Sequence, residues 1–578
     1  MSGLRGIAAS FGVVVGRAVG LPRSGRAPRR FVADVEAEAG RLRQALEASR
    51  ASLERARDEL VDGAPEAAPL LDAPLLMHGD ALFLDAALEI LRSERVNAEH
   101  AVDRAVQQLR APLDHAASPY LRERAEDVAQ MGFEVVRHLG GAQAAPALGS
   151  GSVIVAEELG AADAARLLLD PRVVGLVTEG GSATNHTAIL ARALGVPAVV
   201  GVRGAVDAAV EGERVVVDGL AGRVEFAPGP EAVAEAEARA AHHEALSKAL
   251  EERESEEARS RDGVSVTVLA NIEIPEEASA ALAHGAEGVG LYRTEFLFLD
   301  RSEVPDEATQ RAAYTEVAAR LAPRPVVLRT LDIGGDKLPT SLGLPPSPNP
   351  ALGLRSLRLS LRRPELLRTQ LRAMLAAATA GKVDVLFPMV SGVDELRQAK
   401  ALLAAVRAEL EADGAPVGPV RVGCLFEVPA AALVADRILE EVDFACVGTN
   451  DLVQYALAVD RSNPDVAHHA QALDPGVLAL LAHIVRAAHE AGRALTMCGE
   501  MAADPLALPV VLGLGFRSLS VPVTSLPLVR ELVRRVDIGE LEALAADARG
   551  AATAWTVRRL VKERLGDRLG ELLELRGL

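Results

Sequence analysis

The chain has few cysteines for its length, and this scarcity bears on where the protein works. Its 578 residues include three cysteines, Cys424, Cys446 and Cys498. Three thiols cannot build the disulfide framework that stabilises many secreted domains. The first residues also lack a signal-peptide pattern. We therefore expect a protein of a reducing compartment, the cytoplasm.

Long apolar runs and an excess of positive charge are missing as well. No apolar stretch reaches the roughly 18 residues that a membrane-spanning helix needs. Lys and Arg total 62 against 81 Asp and Glu, for a net charge of −19. Such a surface disfavours nucleic acid and anionic lipid and suits a small basic protein. We expect no nucleic-acid partner and no membrane insertion.

The length exceeds what one hydrophobic core supports, so we expect a multidomain α/β protein. Glycine alternates with β-branched residues over 4–22, which predicts a short strand pair. Strand patterns return between Ser152 and Phe226, and together these segments predict a small α/β domain. The intervening residues have helical periodicity and predict an inserted helical bundle, with helices over 33–60, 70–95, 98–111 and 118–138. Residues 231–261 predict one long linker helix.

After Asp262 the sequence alternates eight times between strand and helix patterns, the size and order of a (β/α)8 barrel. The predicted strands are Val264–Asn271, Gly288–Arg293, Pro325–Thr330, Val383–Met389, Val420–Phe426, Phe444–Gly448, Ala494–Cys498 and Arg517–Val521. In such barrels the functional side chains lie at the carboxyl ends of the strands. Polar residues follow most of these predicted strands, so we expect the site at that rim.

The stretch Thr178–Gly201 contains the most informative histidine. A glycine turn precedes His186, which begins a predicted helix that Gly195 and Pro197 terminate. The positive end of the helix dipole disfavours imidazolium and favours a phosphate on the ring. His186 is therefore a candidate phospho-accepting histidine, although an isolated histidine is more often a capping residue in a buried turn.

Charged residues at the predicted rim indicate an anionic substrate and a metal. Glu427 and Asp451 follow neighbouring strands and could hold Mg²⁺, although a salt-bridged rim is the alternative. Five cations suit the oxygens of a phosphorylated carboxylate: Arg293, Arg329, Arg355, Arg461 and Lys337. Cys498 could donate a proton to an enol carbon. Cys424 and Cys446 lie in apolar strands and are predicted to be core thiols.

The whole chain resembles enzyme I of the bacterial phosphotransferase system, a phosphoenolpyruvate–protein phosphotransferase. The resemblance covers the chain in the family's order and rests on GIAAS (6–10), YLRERAEDV (120–128), GGSATNHTAILAR (180–192), GAEGVGLYRTEFLF (285–298), RTLDIGGDK (329–337), FPMV (387–390), GTNDLVQYALAVDR (448–461) and MCGEMA (497–502).

The resemblance implies a role for each candidate residue. His186 would be phosphorylated, Thr184 would hydrogen-bond it, and Cys498 would protonate the enolate. Phosphoenolpyruvate contacts would come from Arg293, Arg329, Asn450, Arg461, Arg355 and Lys337. Glu427 and Asp451 would bind Mg²⁺. The chain departs from the family at Asn185, Phe11, Val428 and Val453; none of these changes removes a charged group, so we expect the chemistry to be intact.

The resemblance also implies a domain plan and partners. Residues 1–22 and 144–225 would form the phosphohistidine domain, and 23–143 the helical subdomain that binds the phosphocarrier protein HPr. Residues 226–260 would be the linker, about which the phosphohistidine domain would swing. Residues 261–578 would form the phosphoenolpyruvate-binding barrel and make a homodimer.

Two related functions remain as alternatives. A regulatory phosphorelay enzyme would report the phosphoenolpyruvate/pyruvate ratio, but that branch carries an extra N-terminal sensor domain, which we do not expect before residue 4. A dikinase-type enzyme would need an ATP-binding domain, and the region before residue 144 is too short and too helical for one. A scaffold without catalysis conflicts with the full set of charged rim positions.

Overall fold

The computed structural model describes residues 3–21, 29–64, 67–79, 81–114, 119–140, 147–181, 185–253, 256–298, 303–333, 349–461, 463 and 465–574. The chain divides into two compact units, residues 1–247 and residues 248–573. Among the described helices, none combines the length and the apolar character that a membrane crossing requires.

The first unit is built on a mixed eight-stranded sheet. Its strands are β1 (Leu4–Arg5), β2 (Ile7–Ser10), β3 (Val13–Gly20), β4 (Ser152–Ala156), β5 (Val173–Thr178), β6 (Ala198–Val200), β7 (Arg214–Asp218) and β8 (Arg223–Phe226). Their order across the sheet is β1-β8-β7-β3-β4-β5-β6-β2. The sheet thus combines strands from both sides of the helical insertion, as the sequence predicted.

The predicted pairing of the N-terminal strands with each other is wrong. β1 pairs with β8 at one edge of the sheet, and β2 pairs with β6 at the other. β3 lies inside the sheet, parallel to β4 and antiparallel to β7. The local alternation of residues predicts a strand, but the partner depends on which distant segment completes the buried face.

Nine described α-helices precede the barrel in the chain: α1 (Val35–Gly63), α2 (Asp72–His78), α3 (Ala81–Glu94), α4 (Ala98–Asp114), α5 (Pro119–Leu139), α6 (Ala161–Leu169), α7 (His186–Ala193), α8 (Ala205–Ala208) and α9 (Pro230–Glu252). Helices α1–α5 lie between β3 and β4 in the chain, which confirms the inserted helical bundle. Asp34 caps α1 by accepting a hydrogen bond from the Ala37 amide at 3.0 Å.

Two helix predictions were too long. The segment predicted as one helix over 70–95 contains two helices: α2 ends at His78, and α3 begins at Ala81. The linker helix α9 ends at Glu252, short of the predicted residue 261. Its highly charged sequence has no apolar stripe to mark the end, so composition alone overestimated its length. The predicted N-cap Ser118 of α5 lies outside the described residues.

The bundle and the α/β part share one hydrophobic core. Leu53 and Leu60 of α1 pack in the same buried cluster as Ile154 of β4 and Leu190 of α7. A second buried cluster holds the helices of the bundle together and includes Leu91. One apolar face of α1 enters both clusters, its first half the second cluster and its second half the first, and this burial keeps the bundle against the sheet. This arrangement brings α5 close to the start of α7.

The second unit is a closed barrel of eight parallel strands, as predicted. The strands are β9 (Thr267–Ile272), β10 (Val289–Arg293), β11 (Pro325–Arg329), β12 (Lys382–Phe387), β13 (Val422–Phe426), β14 (Phe444–Val447), β15 (Ala494–Met497) and β16 (Ser518–Pro522). They follow one another in chain order, and β16 pairs with β9 to close the barrel. Each predicted strand overlaps one of these.

Helices surround the barrel and fill the connections between strands. They are α10 (Glu277–Ala283), α11 (Glu307–Leu321), α12 (Ser356–Arg362), α13 (Pro364–Ala377), α14 (Val393–Ala412), α15 (Pro429–Leu433), α16 (Ala435–Leu439), α17 (Thr449–Leu457), α18 (Pro475–Glu490), α19 (Leu508–Leu514), α20 (Leu526–Arg535), α21 (Ile538–Gly550) and α22 (Ala554–Glu574). Leu291, Leu386 and Leu425 pack inside the barrel with Cys446 and Cys498. The barrel is therefore a packed core whose carboxyl end supports a site.

Candidate active site

His186 begins helix α7, as predicted. Asn185 caps the helix because its side-chain oxygen accepts a hydrogen bond from the Ala188 amide at 2.8 Å. Gly181, just upstream, has φ +93°, and a Cβ there would lie 2.3 Å from Nδ2, the side-chain amide nitrogen of Asn185. Glycine at this position thus allows the turn that delivers the cap. The predicted neighbour Thr184 lies outside the described residues.

A carboxylate from the helical bundle faces the His186 ring. Nδ1 of His186 lies 3.5 Å from Oδ1 of Asp127 on α5, and both side chains are largely buried, at 21% and 17% exposure. The negative charge of Asp127 favours a proton on Nδ1, and it acts against the helix dipole. A proton on Nδ1 leaves the lone pair on Nε2.

Behind His186 lies a second buried polar pair, His78 and Glu134. Nε2 of His78 lies 3.7 Å from Oε2 of Glu134 and 2.9 Å from the Ser49 hydroxyl. Burial, reinforced by the charge of Asp163, raises the pKa of Glu134 to about 7. Burial also lowers the pKa of His78. Both groups therefore favour their neutral forms.

The second candidate site is a cavity of about 360 Å³ at the carboxyl ends of the barrel strands, here called the mouth cavity. Its lining brings together most of the predicted rim residues, namely Arg293, Arg329, Arg355, Glu427, Asn450, Asp451, Arg461 and Cys498. Parallel strands end at one face of a barrel, so residues distant in sequence converge there. The predicted Lys337 lies outside the described residues.

Asp332 organises the two most buried arginines of the mouth cavity. Its carboxylate lies 2.8 Å from Nη1 of Arg329 and 3.0 Å from Nη2 of Arg355. Glu295 pairs with Arg329 as well. Although burial opposes ionisation, the two guanidiniums hold the pKa of Asp332 well below its usual range. The two arginines are thus already charged and oriented.

Three carboxylates meet at one point of the mouth cavity. Oxygen atoms of Asp332, Glu427 and Asp451 all lie within 4.8 Å of one another. Burial, followed by the charges of Asp332 and Asp451, raises the pKa of Glu427 well above its ordinary value. A divalent cation would relieve that repulsion, and carboxylate oxygens are the ligands that Mg²⁺ prefers. The residues therefore fit a hard cation. Asp332 lies 2.8 and 3.0 Å from its two arginines, whereas Asp451 lies 3.2 and 3.7 Å from Arg355 and Arg461, so Glu427 and Asp451 are the better ligands.

Strained backbone and close approach surround this carboxylate cluster. Met389, with φ +53°, donates its amide to Oε1 of Glu427 at 2.6 Å. Ser356, with φ +51°, donates its hydroxyl to Asp332. A Cβ at Gly448 would lie 2.9 Å from Oε2 of Glu427. Non-glycine residues with positive φ are costly, and their concentration here is typical of a functional site.

The outer cations of the mouth cavity have weaker partners. Arg293 pairs with Glu273 at 2.7 Å, and both side chains are about one-third exposed. Arg461 is 47% exposed and lies 3.7 Å from Asp451 and 3.8 Å from Glu500. The Asn450 side chain donates to Glu500 at 2.7 Å and accepts from its amide. Exposed ion pairs are worth little, so a substrate anion can displace these partners.

Cys498 lines the mouth cavity from below and is buried. Its Sγ lies 4.0 Å from the Gly290 carbonyl oxygen, and its side chain packs in the barrel core beside Cys446. Cys424 and Cys446 are buried too, as predicted for core thiols. Burial raises the pKa of Cys424. Among the three cysteines, Cys498 lies in the cavity lining, which suits a group that acts as a neutral acid.

Sequence reasoning missed two residues of these sites as partners. Asp127 lies in the YLRERAEDV stretch of the family resemblance, and that stretch was the available signal. Asp332 follows β11 in the RTLDIGGDK stretch. Its position after a predicted strand placed it at the rim, but no role was predicted for it. Both became recognisable through contacts with His186 and with the two buried arginines.

Three regions of the chain match families of phosphoenolpyruvate-utilising enzymes. Residues 5–124 match the family described as PEP-utilising enzyme, N-terminal, and residues 148–222 match PEP-utilising enzyme, mobile domain. Residues 247–538 match PEP-utilising enzyme, PEP-binding domain. The three matches follow the division into an N-terminal α/β unit with its insertion and a barrel.

Curated relatives extend the likeness over nearly the whole chain. The chain is 40% identical to a phosphoenolpyruvate-protein phosphotransferase of Geobacillus stearothermophilus over 564 residues, 97% of each chain. It is 37% identical to the protein of the same name from Bacillus subtilis over 570 residues, 97% of this chain and 100% of that one. A solution structure of an Enzyme I protein is 28% identical and covers 42% of this chain and 99% of that one, with a TM-score of 0.35.

Proposed function

Because this chain belongs to the phosphoenolpyruvate-protein phosphotransferase family, we propose that it transfers the phosphoryl group of phosphoenolpyruvate to His186 and then to a histidine of the phosphocarrier protein HPr, releasing pyruvate. This reaction is the first step of the sugar phosphotransferase system. The observation that carries the residue assignment is the mouth cavity, which four arginines line and where three carboxylates meet at one point.

The arginines divide the work of binding phosphoenolpyruvate. Arg329 and Arg355 are buried and held by Asp332, so they offer preorganised charge to the phosphoryl oxygens. Arg293 and Arg461 are more exposed and exchange their carboxylate partners for substrate oxygens. Asn450 donates a neutral hydrogen bond beside them.

Glu427 and Asp451 are the proposed Mg²⁺ ligands. Their crowded carboxylates supply hard oxygen donors, and the raised pKa of Glu427 reflects the repulsion that a cation would remove. The bound ion would add positive charge against the substrate oxygens. The chain's own arginines would complete the neutralisation.

His186 is the proposed nucleophile, and Asp127 its positioning residue. The Asp127 carboxylate, 3.5 Å from Nδ1, favours the tautomer with the proton on Nδ1, so Nε2 carries the lone pair. Nε2 attacks phosphorus, and the bond between phosphorus and the enol oxygen breaks, leaving its electron pair on pyruvate enolate. Cys498 donates a proton to the enolate carbon, which completes pyruvate. In the second half-reaction a ring nitrogen of the HPr histidine attacks phosphorus, and the bond between phosphorus and Nε2 of His186 breaks.

The two half-reactions need His186 at two places. The phosphoenolpyruvate site belongs to residues 248–573, and His186 belongs to residues 1–247. The units must therefore meet during the first transfer, and we assign the required motion to the linker at 226–260. The helical subdomain, residues 23–143, is the proposed docking surface for HPr. A cytoplasmic location remains our expectation.

We also propose that the barrel unit forms a homodimer. Leu352, Leu433 and Trp555 are each at least 65% exposed. Contact of such large apolar side chains with water costs free energy, and burial in an interface would remove that cost. Sedimentation equilibrium of the full chain should reveal a dimer, and Leu433→Arg should weaken its association. A monomer at all concentrations would contradict this part of the proposal.

Labelling of the full chain with ³²P-phosphoenolpyruvate tests the proposed function. With Mg²⁺ the protein should acquire one acid-labile label and pass it to HPr, whereas γ-³²P-ATP should leave it unlabelled. His186→Ala should abolish labelling but keep phosphoenolpyruvate binding. The matched control His242→Ala, which changes an exposed histidine on α9, should label normally. Labelled His186→Ala protein would contradict the assignment.

A further inference from the structure

The barrel has a second large cavity, at the end opposite to the mouth cavity. It has a volume of about 610 Å³ and is here called the basal cavity. Arg493 and Arg517 in its lining directly precede β15 and β16, so it opens at the amino ends of the strands. Helices α18, α19 and α21 complete its walls. Its volume is in the range of small-molecule sites.

Basic side chains dominate the lining of the basal cavity. Its lining contains one carboxylate, Glu542, beside one histidine, His489, and four arginines, Arg486, Arg493, Arg517 and Arg549. The chain as a whole carries 81 acidic against 62 basic residues. Positive charge, which is the less abundant sign in this protein, is therefore concentrated at this cavity and produces a locally positive potential.

The contacts of these arginines leave much of their charge uncompensated. Arg517 donates to the carbonyl oxygens of Leu512 and Phe516 and lies 3.4 Å from Glu542. Arg493 donates to the Leu439 carbonyl oxygen at 3.2 Å. Among the residues that the structure describes, no carboxylate forms an ion pair with Arg486, Arg493 or Arg549. The arginines of the mouth cavity, in contrast, are all paired with carboxylates.

Helix termini explain only part of this arrangement. Arg549 occupies the last turn of α21, where the negative end of the helix dipole favours a cation, and Arg486 lies one turn before the end of α18. That interaction is satisfied by one cation at each terminus and does not require a shared cavity. Each guanidinium has five N–H donors, and the carbonyl contacts above use few of them.

We propose that the basal cavity is a binding site for a small polyanion, a molecule that carries two or more phosphate or carboxylate groups. Planar guanidinium forks recognise both groups through paired hydrogen bonds. The apolar walls formed by Val485 and Leu514 allow the ligand a compact carbon skeleton. The site is separate from the phosphoenolpyruvate site, and β15 links the two, since Arg493 directly precedes this strand and Cys498 directly follows it.

Calorimetric titration of the full chain tests the proposal, with inorganic pyrophosphate and citrate as probes in a buffer without divalent metal ions. Arg486→Gln/Arg549→Gln removes two cations from the basal cavity. Ala546→Trp fills the cavity without changing charge. The matched control Arg311→Gln/Arg324→Gln removes two exposed arginines elsewhere on the barrel unit.

We expect the wild-type chain and the control to bind at least one probe equally, and both basal-cavity variants to bind it about tenfold more weakly or not at all. Stronger binding of pyrophosphate would identify a phosphorylated ligand, and stronger binding of citrate a polycarboxylate. Labelling of His186 by phosphoenolpyruvate should stay normal in both variants, which checks folding. Equal affinities in the wild type and both basal-cavity variants would overturn the proposal, because any binding would then belong to the mouth cavity.

Discussion

Glu134 in the first unit and Glu427 in the barrel are both buried carboxyl groups with a raised pKa, but their surroundings differ. Burial dominates at Glu134, with Asp163 adding repulsion and Arg137 opposing it. At Glu427 two carboxylates add to burial, and four arginines line the adjacent cavity. Glu134 lies between helices, whereas Glu427 faces open space that a ligand can fill.

The comparison shows that a raised pKa does not by itself identify a binding site. A lone buried carboxyl relieves its desolvation by keeping a proton. Crowded carboxylates beside a cavity can instead bind a cation, which relieves both their desolvation and their repulsion. The neighbouring arginines then form the anion site. The four predictions below test this distinction, ordered by their expected effect on phosphoryl transfer.

Glu427→Gln should have the largest effect. It removes a proposed Mg²⁺ ligand, so we expect labelling by phosphoenolpyruvate to slow by about 10³-fold. The fold should persist, because the change also removes repulsion among three carboxylates. Rapid-quench labelling measures the rate, and calorimetry measures the melting temperature with and without Mg²⁺. Glu365→Gln, at an exposed helix position, is the control, and a normal rate for Glu427→Gln would refute the metal assignment.

Asp127→Asn should reduce the rate of phosphoryl transfer by about 10- to 100-fold, because the preferred tautomer of His186 is lost. The KM for phosphoenolpyruvate should change little, since Asp127 belongs to the other unit. Nitrogen NMR of labelled histidine should show less proton on Nδ1. Asp127→Glu should recover part of the rate. An unchanged tautomer in Asp127→Asn would remove the positioning role.

Cys498→Ser should slow pyruvate formation by about tenfold while phosphoenolpyruvate binding stays within about twofold, because a hydroxyl is a weaker acid than a thiol. Cys446→Ser provides the control for a polar change in the same core. Release of pyruvate is followed with a coupled assay in single turnovers. Unchanged turnover would exclude Cys498 as the proton donor.

Glu134→Gln should leave transfer nearly unchanged but alter stability with pH. The folded-state pKa of about 7 exceeds the ordinary value, so the stability from the protonated carboxyl is present at low pH and is lost as pH rises through about 7. The free energy of unfolding of the variant should therefore exceed that of wild type by about 3 kcal/mol at pH 8, and this difference should become much smaller at pH 5. His78, whose pKa is lowered, contributes the opposite trend in both proteins. A constant difference across this range would contradict the assignment.

The family resemblance and the strand alternation predicted much of the molecule. All eight barrel strands were identified because buried parallel strands carry short apolar runs between polar ends. Glu427 and Asp451 followed from the rule that the strands of a barrel end at one face. The N-terminal strands were recognised as strands, but their partners were wrong, because pairing depends on segments that are distant in the chain.

Local patterns were enough for the helix that His186 begins and the strand ends that carry charge, because each depends on residues a few positions apart. The contact of Asp127 with His186, the pairing of Asp332 with Arg329 and Arg355, and the concentration of arginines in the basal cavity arise from packing between distant elements. Such contacts depend on distances in the folded chain, and electrostatic energy follows those distances.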